Sequence, residues 1–85
     1  MRYYIAVFRS RSNVLNFANL LRANSVPCAI ISTPSKLGKT CGLSVKFLYD
    51  YFPKVQRLIK EQSFRSFDGF YEITETFNGN NIKRI

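Results

Sequence analysis

An α+β two-layer sandwich, with two helices on one face of a four-stranded antiparallel sheet, is the architecture this sequence predicts. Three observations point to it. Strand-like runs rich in β-branched and aromatic residues recur four times, two intervening segments carry apolar residues at helical spacing, and the resulting order is β-α-β-β-α-β. That order most simply closes into the ferredoxin-like sandwich. With 85 residues the chain has material for one core and no room for a second domain. A single domain over residues 1–76 is therefore expected, followed by a flexible tail at 77–85.

Each element has its own signal. Arg2 to Phe8 (RYYIAVF) is apolar enough for an interior strand. Ser10 or Ser12 can cap the helix that follows, in which Val14, Phe17, Ala18 and Leu21 share one face between Asn13 and Ala23. Asn24-Ser25 stops it, since Asn tolerates the left-handed cap conformation. Val26 to Ser32 (VPCAIIS) reads as a second buried strand with Pro27 at its start. Thr33 to Gly42 (TPSKLGKTCG) is a loop by composition. Leu43, Val45 and Phe47 then alternate with Ser44, Lys46 and Leu48 in a third strand. Asp50 can cap a second helix, with Pro53 in its first turn and Phe52, Val55, Leu58 and Ile59 as its apolar face. A last strand within Phe64 to Thr76 is clearest at Gly69 to Ile73.

Composition narrows the chemistry. The chain has no His, which excludes a Ser/His/Asp triad, a Cys/His dyad and imidazole metal ligation, and two Cys cannot supply a four-thiolate metal site within one chain. Catalytic equipment is sparse, so a carrier or binding protein is expected rather than a turnover enzyme. No apolar run approaches the ~18 residues of a membrane span and no secretory signal opens the chain, so the expected location is cytoplasmic, with Cys28 and Cys41 as thiols rather than a disulfide. The net charge of +8 is unevenly placed: Met1 to Tyr49 holds seven basic residues and no Asp or Glu. Such a field attracts phosphate, nucleic acid or acidic proteins, and it favours a thiolate.

The reactive groups converge on Ser35 to Gly42 (SKLGKTCG). Gly38-Lys39-Thr40 matches the end of a phosphate-binding P-loop, but the first glycine of that motif would fall at Thr33, and a strand rather than a helix follows. Cys41 is the candidate nucleophile. Lys36 and Lys39 share its loop, and Gly42 gives the backbone freedom and lets a partner approach the sulfur. Cys28, inside an apolar run, reads as a small core residue. Ser35, Lys36, Lys39 and Thr40, with free backbone N–H groups, can also bind an anion without chemistry.

These residues give the sequence a resemblance to the selenium/sulfur carrier-like family, a group of small domains of unknown function. It rests on Phe8-Arg9-Ser10 closing the first strand, Leu20-Leu21 near the end of the helix, the strand at Val26 to Ile31, the loop Thr33-Pro34-Ser35-Lys36-Leu37, and above all Cys41-Gly42-Leu43 entering the third strand. The resemblance implies that Cys41 holds sulfur or selenium as a persulfide or perselenide and passes it between a donor and an acceptor protein. Such exchange needs no metal or organic cofactor. Lys36 stands where the family usually has Arg, which keeps the charge but loses the bidentate fork.

Two further roles compete with the carrier. In one, the basic half docks on nucleic acid or an acidic protein, with Tyr3, Tyr4, Phe47 and Tyr71 as stacking rings, although no aromatic-rich RNA-binding segment is spelled out and nucleic acid is the less favoured partner. In the other, the domain forms a homodimer through its sheet edges.

Overall fold

Strand β1 (Arg2–Phe8) lies at the centre of a five-stranded antiparallel sheet in the computed structural model, which describes residues Met1–Ile85. It is followed by α1 (Arg11–Ala23), β2 (Ala29–Ser32), β3 (Leu43–Phe47), α2 (Phe52–Glu61), β4 (Phe67–Thr76) and β5 (Gly79–Arg84). The strand order is β2-β3-β1-β4-β5. The connection through α1 passes over β3, and the connection through α2 passes over β1, so the two crossovers interleave and every neighbouring pair is antiparallel.

Both helices cover the same face. Ala6 and Phe8 of β1, Val45 and Phe47 of β3, and Phe70 of β4 meet Val14, Phe17, Ala18 and Leu21 of α1 and Val55 and Leu58 of α2 in one cluster. Phe8 and Phe17 sit 5.4 Å apart between ring centroids, and Phe64 closes on Phe17 edge-on at 5.3 Å. Ser10 caps α1 as expected, accepting from the Asn13 backbone N–H. The other end differs from expectation. Ser25, not Asn24, takes the left-handed backbone, and Asn24 instead donates from its side-chain amide to the Leu20 carbonyl at 2.8 Å.

Several sequence expectations are corrected. The sheet has five strands and not four, because Gly79–Arg84 pairs along β4. Phe77 and Asn78 form the turn, Gly79 adopts φ 123°, and Ile82 pairs with the fully buried Ile73. Ile82 of β5 is one of the residues that cover the cluster containing Ile73. Strand β2 begins at Ala29, three residues later than expected; Val26 is buried but its N–H returns to the Leu21 carbonyl, so it finishes the helix instead of opening the strand. Asp50 does not cap α2. The chain enters through a 3₁₀ turn at Tyr49–Tyr51, and Pro53 in the first helical turn has no N–H to satisfy.

The second face carries no helix, yet Ile5, Val7 and Ile73 are fully buried there beside Tyr3. Leu37 from the β2–β3 connection, Ile31 of β2 and Ile82 of β5 cover them. Replacing Phe17 by Ala removes the ring that joins α1 to Phe8 and Phe64. It is expected to destabilise the domain by about 3–5 kcal/mol, read as a lower midpoint in urea unfolding with native-like far-UV circular dichroism before the transition.

Candidate functional site

The β2–β3 connection is pinned at its base. The Thr33 N–H donates to the Gly42 carbonyl at 2.9 Å, which extends the ladder one step beyond the strands, and the Thr33 hydroxyl meets the fully buried Ser44 hydroxyl at 2.7 Å. Ser35–Leu37 form a 3₁₀ turn that ends at Gly38, whose φ of 74° suits glycine. Gly42 has φ 87° with open space where a Cβ would stand. Its glycine identity therefore answers a backbone need, and the surrounding space is free for an approaching group. The Gly42 N–H donates to the Thr40 hydroxyl at 2.9 Å, closing a small turn around Cys41.

Cys41 is half-buried against the helix-side core. Its N–H donates to the Phe8 carbonyl at 3.4 Å, and its thiol donates to the Leu43 carbonyl at 3.4 Å. The bond to Phe8 sets the end of β1 beside the cysteine. A surface cavity of about 380 Å³ opens there, lined by Arg9, Lys39 and Thr40. Arg9 is a site member that the sequence of the loop by itself does not reveal. Its signal was present in Phe8-Arg9-Ser10, but nothing local connects that strand end to a loop so distant in sequence. Arg9 also pairs with Asp68 at 3.8 Å across exposed surface, a contact too solvated to cancel its charge.

The loop residues expected to act together are divided. Lys39, Thr40, Cys41 and Gly42 gather near Arg9, whereas Ser35 and Lys36 lie on the connection as it crosses the helix-free face. There the Lys36 ammonium donates to the Asn80 carbonyl of β5 at 3.4 Å. Lys36 is thus engaged with β5, and Arg9 with Lys39 supplies the positive field at the Cys41 end. No group of three or more Cys, Asp or Glu side chains comes together to hold a metal. No helix is long and apolar enough to cross a membrane.

Cys28 behaves as a structural thiol. It packs against the helix-side core and its sulfur donates to the Ala18 carbonyl at 3.6 Å. Burial pushes its ionisation upward, opposed in part by the Arg22 guanidinium. Of the rings named as stacking candidates, Tyr3 and Phe47 are buried, and Tyr4 packs edge-on against Phe47 and Phe52. Tyr71 is half-buried on the helix-free face, where it packs against the second cluster.

A small α+β domain with two half-buried thiols, one of them next in the chain to Thr40 of a cationic cavity, is the class these features define. The family described as "Putative Se/S carrier protein-like" matches residues 3–72, and the chain belongs to this family. No curated protein and no solved structure matches it.

Because the folded state raises the Cys28 value, the half-buried neutral thiol contributes stability that is complete below the ordinary thiol range and is lost as pH climbs through the raised value. Unfolding measured from neutral to alkaline pH is expected to show a decline that is smaller in Cys28→Ala. In the native protein Cys28 should alkylate more slowly than free cysteine at the same pH.

Proposed function

We propose that the protein is a carrier of sulfane sulfur or selenium, with Cys41 as the group that holds the chalcogen. The family membership supports the carrier class, and the observation that carries the assignment to Cys41 is its backbone placement, next in the chain to Thr40 and bonded to Phe8 beside Arg9, where Arg9, Lys39 and Thr40 line a cavity. The interleaved crossovers and the order β2-β3-β1-β4 support reading the first four strands as a ferredoxin-like unit, with β5 added at one edge.

The chemistry is thiol exchange and is redox-neutral overall. The Cys41 thiolate attacks the outer sulfur of a donor persulfide, a new S–S bond forms at Cys41, and the donor S–S bond breaks to release the donor thiolate. A perselenide donor gives the corresponding S–Se bond. An acceptor nucleophile then takes the outer atom and returns Cys41 as thiolate. The cavity that Thr40 lines, next in the chain to Cys41, carries the two cations Arg9 and Lys39, which suit it to receive the negatively charged surroundings of a donor or acceptor thiolate. Gly42 leaves the approach open. Donor and acceptor are proteins, and acidic surfaces around their reactive groups would be steered to this end of the domain.

Incubation with a persulfide donor should add one sulfur to Cys41, seen by mass spectrometry of the intact chain and of the peptide. Loading is expected to persist in Cys28→Ser and to vanish in Cys41→Ser. Equal loading of Cys41→Ser would remove Cys41 from the mechanism. Joint replacement of Arg9 and Lys39 by Ala is expected to slow loading from an acidic donor by about tenfold at low ionic strength and by much less at high salt.

A further inference from the structure

The β4–β5 hairpin turns on Phe77 and Asn78, both exposed, and Gly79 follows as the first residue of β5. An asparagine followed by glycine carries a reaction of its own. The main-chain nitrogen of the second residue can reach the side-chain carbonyl carbon of the first, and a glycine there presents no Cβ to obstruct the approach. At Gly79 the space where a Cβ would stand is empty to 4 Å, so the surrounding chain leaves room for the ring that the reaction forms.

The six other asparagines are placed less favourably. Asn13 accepts from the N–H and the hydroxyl of Ser66, and Asn24 donates to the Leu20 carbonyl, so both amides are held. Asn16 and Asn19 lie inside α1 ahead of Phe17 and Leu20, whose N–H groups belong to the helix ladder. Asn80 and Asn81 stand in β5 ahead of Asn81 and Ile82, whose side chains crowd the attacking nitrogen.

We infer that Asn78-Gly79 is a site of spontaneous deamidation and that its isoaspartyl product unfastens β5. The deprotonated Gly79 nitrogen attacks the Asn78 side-chain carbonyl carbon, a C–N bond forms, and the amide nitrogen leaves as ammonia. Water then opens the succinimide at either carbonyl. One opening leaves an aspartate on the original main chain; the other leaves an isoaspartate, in which the main chain runs through the side chain and is one methylene longer. Either product adds one negative charge and lowers the net charge of +8 by one.

The longer main chain falls where spacing matters. Thr76 and Gly79 are register partners with only Phe77 and Asn78 between them, and the Thr76 hydroxyl donates to the Gly79 carbonyl at 2.6 Å. Loop length fixes hairpin register, so an added methylene displaces β5 along β4. The contacts of β5 are those that close the helix-free face: Ile82 opposite Ile73, the Asn80 carbonyl accepting from Lys36, and Arg84 donating to the Asp68 carbonyl. A covalent change at the turn thereby reaches the second hydrophobic cluster. None of this depends on the carrier role of Cys41.

The test is incubation of the full-length protein at mildly alkaline pH, folded and in urea, with the tryptic peptide Ser66–Lys83 followed by mass spectrometry. Fragmentation that separates aspartate from isoaspartate locates the change. Within that peptide, conversion is expected at Asn78 in both conditions, faster as pH rises because the attacking nitrogen is deprotonated, and lost in Asn78→Gln, whose longer side chain closes a ring far more slowly. In the purified isoaspartyl form, hydrogen exchange of the β5 amides should speed up by about tenfold or more while α1 keeps its native protection. Conversion in urea alone would show that the folded turn holds the nitrogen and the carbonyl carbon apart, and would overturn the site. Conversion of Asn80 or Asn81 ahead of Asn78 would do the same, and unchanged β5 exchange in the isoaspartyl form would overturn the unfastening.

Discussion

Strand β1 buries both of its faces in a domain that has helices on only one. Ala6 and Phe8 point into the helix-side core, Ile5 and Val7 point the other way, and all four are fully buried. A central strand of this kind gains its stability from covering on both sides, since each exposed aliphatic or aromatic side chain forgoes about 1.5–3 kcal/mol of burial. The helices satisfy the first face. The second has to be covered by what remains of the chain, namely the β2–β3 connection and the C-terminal hairpin, and the rest of the architecture follows from that requirement.

The connection meets it by laying Leu37 across the sheet and by reaching β5 with Lys36. It then returns to β3 on the other side of the sheet, where Cys41 packs against the helix-side cluster and bonds to the carbonyl of Phe8. One loop thus serves both faces. The thiol is held at the end of β1 because the loop that bears it is anchored at Thr33, Ser44 and Phe8. That anchoring gives the Cys41 thiol a defined position while leaving open space at Gly42.

The excess positive charge is distributed by the same folding requirement. Lys46 and Arg84 lie over Tyr3 and Tyr71 on the helix-free face, and Arg2 lies over Tyr49 beyond the sheet's opposite side. In each case the charged end itself lies over the ring face, a cation–π arrangement that fixes its place. The cations are thereby placed at stated points and not spread evenly, with one group near Cys41 and another along a groove lined by Lys36 and Arg84.

Much of the architecture was legible in the residues. The alternation of Leu43, Val45 and Phe47, the helical stripe of Val14, Phe17, Ala18 and Leu21, and the cap at Ser10 are local patterns, and each formed where its period indicated. Strand β5 was obscured because NGNNIKRI contains few apolar residues, and only the Asn78-Gly79 pair signalled a hairpin. The candidate thiol at Cys41 could be named from its loop, but its neighbours could not. Lys36 was drawn away to Asn80, and Arg9 was brought in by a backbone bond between Cys41 and Phe8. The amino-acid sequence alone determined the helices and the first four strands, because periodicity and capping are properties of residue order, and it singled out Cys41 as the candidate group. Only the tertiary structure decided which charges surround that group, because long-range pairing runs through backbone N–H and C=O groups that nearly every residue carries alike.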